Sequence, residues 1–481
     1  MDNKKKENFS EWYTEIIQKA ELADIRYNVK GFVVFKPWSV ITMEKMYDIY
    51  EKELQDKGHN PAWFPIVIPE SNFTLEASHV EGFTPEVFWV TEHGRGEKLE
   101  EKLALRPTSE TAMYKMYSLW IQGLADLPLK IYQRGSVYRH ETKATRPFIR
   151  SREFYWIEAH NCFATKKEAV NQVKEDLETT ETIMHQQFCI PFIGFQRPEW
   201  DKFAGAVHTY AADTLMPDGK VIQQPSTHLL GQNFSKPFDI NFQNEKGEKD
   251  YVWQTCYGPA ISRMYASLIS SLGDDKGLRF PFELAPIQII IVPIYKEENK
   301  RNVLTYSKKI KKVLERDYRI KIDDSDNTPG YKFNEWEMKG VPIRLEIGGR
   351  EVENNQITIS LRTSKEKQSI KLIKLKKFIR IHAREITDTL RKEADENFKE
   401  VIHNADSLDK LKSALQKGGF VRVPFCSIDI KGKECADIIK AETSGDIRGT
   451  KVNDPERPRD EDKCICCGKP AKNIVYVAKQ Y

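Results

Sequence analysis

The chain has 481 residues, enough for about three domains, and its 40% hydrophobic and 30% charged residues make a globular composition, not a disordered one. Lys plus Arg total 75 against 71 Asp plus Glu, so the net charge of +4 gives no bulk signature of nucleic-acid binding. Eight cysteines are too few for a disulfide scaffold, no apolar run approaches the roughly 20 residues of a membrane span, and residues 1–12 lack the apolar core of a secretion signal. A cytoplasmic setting with no membrane partner is therefore expected.

Charge is unevenly spread. Residues 1–284 hold 34 basic and 40 acidic residues (−6), residues 285–400 hold 26 and 19 (+7), and residues 401–481 hold 15 and 12 (+3). A mildly acidic body thus carries a basic back half. In chain order, residues 41–57 place Met46, Ile49, Tyr50 and Leu54 at helical spacing, with Gly58 as a stop. Residues 63–68 are short, apolar and proline-bounded, and predict a buried strand. Residues 108–121 and 166–188 predict helices. Residues 130–139 and 148–159 predict two strands joined by a polar loop, and a domain boundary is expected at 284–286.

Beyond that boundary the pattern alternates. Residues 287–292 form a continuous apolar strand, and 298–316 a helix with Val303, Tyr306, Ile310 and Val313 on one face. Ile320 and Ile322 mark a second strand, 331–339 a second helix, and 341–347 and 356–361 further strands. This predicts a small α/β domain on a mixed sheet. Residues 370–415 read as largely helical and lead into a compact C-terminal unit. The expected domains are 1–284, 285–400 and 401–481.

The most informative stretch is Tyr138-Arg139-His140-Glu141, a loop, and Ile149-Arg150-Ser151-Arg152-Glu153-Phe154. Arginine forks grip phosphate oxygens bidentately, and no glycine-rich phosphate loop occurs in the chain. By the two-residue strand period, residues 150, 152 and 154 share a face. Arg150 is then able to hold a phosphate while Phe154 stacks on a flat base. A surface hairpin with ordinary ion pairs is the competing reading.

Arg139-x-Glu141, the loop and Arg150-x-x-x-Phe154 resemble motif 2 of the class II aminoacyl-tRNA synthetases. Gly258-Pro-Ala-Ile-Ser-Arg263 resembles motif 3, and residues 31–37 with the following helix and strand resemble motif 1, the dimer element. Leu105-Arg-Pro-Thr-Ser-Glu110 is similar to the Thr-x-Glu element of class IIa. Trp156-x-Glu158-x-His160, Lys202-Phe203-Ala-Gly and His228-Leu-Leu-Gly-Gln-Asn-Phe234 resemble the prolyl-tRNA synthetase family. The cysteine unit and final Tyr481 resemble its archaeal and eukaryotic form. The bacterial editing insertion is absent, since only about 65 residues separate Cys162 from Thr227.

The resemblance covers essentially the whole chain. It implies an α+β catalytic domain on an antiparallel sheet (the class II synthetase fold), an α/β anticodon-binding domain and a small α+β zinc-binding C-terminal domain. It also implies proline activation with ATP and Mg²⁺, proline transfer to tRNA(Pro), and a homodimer. For ATP, it assigns Arg139 to the α-phosphate, Arg150 and Arg263 to the terminal phosphate, and Phe154 to the adenine. Glu141, Gln223, Ser226 and Thr227 complete that site. Gln224-Pro225 departs from the family's small residues, leaving the local backbone path open.

For proline, Glu110 neutralises the secondary ammonium, with Thr108 as a second acceptor and Arg139 nearby. Trp156, Phe203 and His160 wall the ring by shape, Glu158 and His228 support the wall or the amine, and Cys256 stands where the family often has serine. Simple core packing is the competing reading for Trp156, Phe203 and His160. In the basic domain, the resemblance makes Glu337 and Arg344 the candidates for anticodon base edges and Lys371 and Lys374 for its phosphates. A solvated helix face is the competing reading for the lysines.

Cys426-x8-Cys435 and Cys464-x2-Cys467 suit a closed tetrahedral zinc site. Cys466 lies inside the second pair, so spacing alone leaves Cys466 or Cys467 open, and free thiols remain the plain reading. The family alignment favours Cys467. Two other functions compete: a class IIa enzyme for another amino acid such as threonine, and a non-catalytic paralogue. The threonyl enzymes' Cys/His/His zinc set is not apparent in the pocket segments, and the retained arginines argue against a paralogue. A pocket shaped for proline excludes smaller amino acids poorly, so cysteine or alanine misactivation is expected.

Overall fold

The computed structural model describes residues 4–72, 87–142 and 144–481. Its organising element is a mainly antiparallel sheet. Strands Leu129–Tyr138 and Glu153–Phe163 pair from Leu129 opposite Cys162 to Tyr138 opposite Glu153. Trp253–Gly258, Val221–Gly231, His208–Leu215 and Ile193–Gln196 then add antiparallel in that spatial order. Ile157 and Ala159 join the main core beside helix Ile261–Leu272, whose Ile261, Tyr265, Leu268 and Ile269 are buried. By the strand period, Trp156, Glu158 and His160 project from the other face. The expected helix at 108–121 is Glu110–Trp120, and the one at 41–57 is Pro37–Asp56, with Pro37 at its start and Met46, Tyr50 and Leu54 buried.

Two expectations in this body change. Residues 63–68 are not one buried strand: only Val67–Pro69 is extended and paired, and Trp63 is 87% exposed. Pro61 and Pro65 flank the apolar run and cannot donate to a ladder. The strand expected at 148–159 begins at Glu153, because Arg146 and Arg150 exchange backbone hydrogen bonds of 2.7 and 2.9 Å that close a tight loop. Within it Phe148 has φ +63°, held there by stacking on Phe35 at 4.4 Å and an edge contact to Tyr265 at 5.0 Å. Arg150 therefore sits on that loop and not on the face of Phe154's strand.

The second sheet is mixed, as expected. Its order is Ile320–Ile322, Ile289–Pro293, Ile343–Ile347, Gln356–Leu361 and Lys367–Lys371, with the first three parallel and the rest antiparallel. Helices Lys300–Leu314 and Pro329–Met338 flank it. The edge strand Lys367–Lys371 was hidden by its lysines. The stretch read as largely helical at 370–415 holds helices Leu375–Lys399 and Leu408–Gln416, interrupted by strand Ile402–Asn404. Trp38 donates from Nε1 to the Lys339 carbonyl at 3.0 Å, and the Arg362 fork grips Asp274, so this unit is fixed to the body that carries the first sheet.

The C-terminal residues extend the central sheet itself. Asp446–Lys451 pairs with Ile193–Gln196 on one side and Asn473–Ala478 on the other, and Phe420–Phe425 and Ile402–Asn404 follow; with Asn60–Pro61 parallel to Leu129–Tyr138 at the opposite edge, the sheet has eleven strands among the described residues. At the join, a Cβ on Gly449 (φ +126°) would lie 2.0 Å from the Gln196 carbonyl oxygen, so the close approach requires glycine. A buried clamp crosses the same join. Asp213 accepts from both Arg197 (2.6 and 2.9 Å) and Arg448 (2.7 and 3.3 Å) and is fully buried.

The predicted helix at 166–188 runs as Lys166–Thr180, opened by a Thr165–Glu168 capping box, and continues in the wider π form through Glu181–Gln187. It carries a buried carboxylate under the sheet. Asp176 accepts from Thr227 Oγ1 at 2.7 Å and Gln172 Nε2 at 2.8 Å but, among the described residues, has no cationic partner within ion-pair distance, and burial pushes its pKa up to about 7. A carboxyl raised this way binds its proton more tightly in the folded state, so it removes stability as pH climbs from about 4 to about 7. Asp176→Asn should therefore match the wild type near or below about pH 4 and exceed its melting temperature at pH 8. Equal gains at both pH values would contradict the assignment.

Candidate active site

Three guanidinium groups converge at one end of the central strands. Arg139 follows Leu129–Tyr138, Arg150 lies on the tight loop, and Arg263 is in the first turn of Ile261–Leu272. They line one cleft with Glu141 and Phe154. Arg150 Nη1 donates to Glu141 Oε2 at 2.8 Å. Arg139 donates from Nε to the Pro107 carbonyl at 3.0 Å and lies over the Phe154 ring at 5.2 Å. Arg263 Nη1 donates to the Gln223 carbonyl at 3.1 Å. Among the described residues, no carboxylate pairs with Arg139 or Arg263. Burial and the neighbouring charges of Arg139 and Arg150 push the Arg263 pKa down to about 10, so it stays charged at neutral pH. Half-buried Arg263 and more exposed Arg139, cationic and without a carboxylate partner, are ready for an anion with several oxygens.

Beside the arginines lies a small buried polar pocket. The sheet builds it by register: His160, Cys256 and His228 are successive cross-strand neighbours. Glu110 opens helix Glu110–Trp120 and accepts from the Thr108 hydroxyl. Cys256 Sγ lies 3.8 Å from Glu110 Oε1 and 3.9 Å from His160 Nε2. The other His160 nitrogen meets the Tyr114 hydroxyl at 2.9 Å, and Glu158 Oε2 lies 3.3 Å from Nε2. Burial lowers the His160 pKa, but the bond to Glu158 and the charges of Glu110 and Glu158 raise it overall. Burial disfavours the Glu158 carboxylate, yet His160, Ser109 and Gln133 hold its pKa below the ordinary value. Trp156 stands edge-on to Phe154 at 5.7 Å. Phe203 covers His228 at 4.8 Å between ring centres. Burial and the nearby His160 charge push the His228 pKa down to about 3, so it is neutral, bridging Thr209 (2.9 Å) and Ser226 (3.1 Å).

The Gln224-Pro225 departure is absorbed by a bulge. Ala211 pairs with Ser226 and Asp213 with Gln223, so Gln224 and Pro225 oppose the single Ala212. Pro225 has no N–H to give the ladder, and Gln224 turns under the sheet to donate to Ser267 at 2.6 Å. Gln223 stays with the arginines, its side chain accepting from Arg197 at 3.2 Å. Thr227 is placed elsewhere: its hydroxyl points under the sheet to Asp176. Sequence reasoning also missed a buried support. Arg106 and the Phe64 N–H fix the Gln133 amide, which donates to Glu158 at 2.8 Å and Ser109 at 2.7 Å. Arg106 lies flat on Gly135, where a Cβ would come within 2.4 Å of Nη2, so that glycine was the available signal.

Residues 88–272 match the tRNA synthetase class II core domain (G, H, P, S and T), 288–382 the anticodon binding domain, and 408–481 the prolyl-tRNA synthetase C-terminal family. The chain is 51% identical to a proline–tRNA ligase of Thermofilum pendens, over 99% of this chain and 98% of the relative. Its fold superposes with a TM-score of 0.94 on a Giardia lamblia prolyl-tRNA synthetase in complex with prolyl-adenylate, at 36% identity and 99% of both chains. A Cryptosporidium parvum prolyl-tRNA synthetase complexed with halofuginone and AMPPNP gives 0.91, at 34% identity over 99% of this chain and 98% of that one. The chain belongs to the prolyl-tRNA synthetase family.

In the part of this family member that matches the anticodon binding domain, Glu337 and Arg344 line one small cleft with Trp336 and Arg362. Arg344 bonds Glu346 at 3.0 and 3.1 Å and lies over Phe333 at 4.1 Å. Lys371 bonds the Asn354 carbonyl, and it and Lys374 are exposed away from that cleft. Lys367 is the nearer lysine. It shares a cross-strand row with Ser360 and Arg344, about 13 Å along its strand from Lys371.

In the C-terminal unit, the sulfurs of Cys426, Cys435, Cys464 and Cys467 lie within 4.8 Å of one another. Tetrahedral zinc asks for sulfurs about 3.8 Å apart, a modest contraction. The Cys466 thiol and the backbone N–H groups of Cys467, Cys466 and Cys426 favour the Cys464 thiolate, as a metal ligand requires. Cys466 itself donates to the Cys435 carbonyl at 3.5 Å. The four thiols fit zinc, which would cross-link the strand, helix and loop that carry them. Protein purified without chelators should contain about one zinc per chain by elemental analysis, and Cys464→Ser should lower that content and the melting temperature together. A zinc content near zero would contradict the site.

Proposed function

We infer that the chain is a proline–tRNA ligase, which activates L-proline with ATP, releases pyrophosphate and transfers proline to the 3′ end of tRNA(Pro). The observation that carries this reading is the junction of two arginines without carboxylate partners, Arg139 exposed at the cleft mouth and Arg263 half-buried, with the buried Glu110 pocket. Arg139 serves both halves, between Phe154 and Trp156. Arg139 takes the α-phosphate, Arg150 and Arg263 the terminal phosphate, and Phe154 the adenine, with Glu141, Gln223 and Ser226 beside them. Magnesium accompanies ATP and shares its phosphate charge. Glu110 and Thr108 accept from the secondary ammonium, while Trp156, Phe203, His160 and Cys256 enclose the ring.

The chemistry needs no protein nucleophile. The proline carboxylate attacks the α-phosphorus in line, pyrophosphate leaves, and the terminal ribose hydroxyl of the tRNA then displaces AMP. The protein's part is to position the two substrates and stabilise charge with fixed arginines. Neutral His228, locked between Thr209 and Ser226, keeps the pocket wall in place without competing for the carboxylate. A pocket of this kind separates proline from smaller amino acids by only about 1–3 kcal/mol per methylene. Cysteine or alanine should therefore support measurable ATP–pyrophosphate exchange, and a background rate with both would count against that.

The enzyme acts as a cytoplasmic homodimer in this reading. Every described cysteine is a free thiol, and no described helix is long and apolar enough to cross a membrane. Exposed Trp63, Ile66 and Trp120 gather around the Phe64–Trp120 ring contact near the sheet edge, an apolar surface suited to a second copy. A monomeric mass in sedimentation at micromolar concentration would contradict the dimer. For the activity itself, Arg139→Ala should reduce proline-dependent exchange by at least about 100-fold with an unchanged circular dichroism spectrum. Exchange within a few-fold of wild type would overturn the assignment.

A further inference from the structure

One cluster in the amino-acid pocket has more chemistry than proline binding uses. Glu110 Oε1, His160 Nε2 and Cys256 Sγ converge, each within 4.8 Å of the others, and all three residues are buried. Carboxylate, imidazole and thiol are the three protein ligand types of zinc. With zinc bonds of about 2.0–2.3 Å, a tetrahedral centre places its sulfur about 3.5 Å from its nitrogen and oxygen neighbours. The sulfur here lies 3.8 and 3.9 Å from them, and Glu110 Oε1 lies within 4.8 Å of His160 Nε2, so the carboxylate and imidazole must draw together by about an ångström to complete the geometry.

The outer atoms of the ligands are already held, as metal sites require. Thr108 donates to Glu110 Oε2, leaving Oε1 toward the cluster. The Tyr114 hydroxyl engages His160 Nδ1 at 2.9 Å, leaving Nε2 toward it. Among the described residues, the only other partner at Nε2 is Glu158, at a loose 3.3 Å. A divalent ion bound to a thiolate and a carboxylate is formally neutral, which suits burial. Binding would release to solvent both the Cys256 thiol proton and the Nε2 proton that Glu158 favours on His160, freeing the Nε2 lone pair.

We propose that Glu110, His160 and Cys256 form a site for a thiophilic divalent cation, zinc above all, whose occupancy excludes the amino acid from the pocket. Exclusion rests on the proline reading of this pocket, because Glu110 cannot accept from the substrate ammonium and ligate the ion together. Metal binding itself does not rest on that reading. The Cys426–Cys467 cluster is far along the sheet and remains intact when Cys256 is changed.

The test uses the full chain with its C-terminal thiols preloaded with zinc. Cobalt(II) is titrated without amino acid, and the thiolate-to-cobalt charge-transfer band is compared between wild type and Cys256→Ser, with Glu110→Gln as a second variant. A band present in wild type and lost in Cys256→Ser supports the site; no Cys256-dependent band overturns it, whatever the substrate is. Free zinc is then added to exchange assays at varied proline. The apparent KM for proline should rise with zinc while kcat holds, and Cys256→Ser should be at least about tenfold less sensitive relative to its own uninhibited rate. Inhibition that saturating proline does not relieve overturns the exclusion.

Discussion

Asp213 carries the architecture at its most demanding point. A carboxylate with no exposure sits between two buried guanidiniums, and the charges of Arg197 and Arg448 hold its pKa down to about 2 against the effect of burial. Removing it would strand two cations inside the protein, a loss of the order of 3–5 kcal/mol. The clamp ties the C-terminal strands to the catalytic sheet where Gly449 allows them closest. It also reaches the site: Arg197 bonds the Gln223 side chain, and the Gln223 carbonyl receives Arg263. The position of an arginine in the phosphate cleft is thus referred, through three side chains, to a strand more than 180 residues later in the chain.

The active site follows a second constraint, that charge is placed before its partner arrives. Arg139, Arg150 and Arg263 share a cleft with one paired carboxylate, Glu141. Their mutual repulsion is tolerable because the backbone carbonyls of Pro107 and Gln223 take hydrogen bonds without cancelling charge. A triphosphate entering such a site meets donors that need little reorganisation. The neighbouring pocket has the opposite sign, with Glu110 and Glu158 buried at 1% exposure each. The boundary between these two regions, at Arg139, is where the proposed reading brings the proline carboxylate and the α-phosphorus together.

Much of this was legible in the sequence because local chemistry and spacing determine it. The paired central strands and the mixed middle sheet follow from burial patterns and spacing. What stayed hidden depends on partners distant in the chain. Arg150 reads as a strand residue until the Arg146 pairing closes its loop. Thr227 looks like its neighbour Ser226 until the bulge at Pro225 sets which face each occupies. Arg106, Gln133 and Asp176 carry no motif, since they act by holding other side chains. Lys367–Lys371 reads as a solvated run, and nothing local shows that Asp446–Lys451 will dock on Ile193–Gln196. The pocket also brings together Glu110, His160 and Cys256, a ligand set absent from any single segment.

The central claim is that the buried pocket beside the arginines admits proline for activation. ATP–pyrophosphate exchange by the purified full chain, run separately with each of the twenty amino acids, tests it most directly. The account predicts the highest kcat/KM with proline, with cysteine and alanine well behind it. A higher value with threonine or any other amino acid, or no exchange with proline, would contradict it.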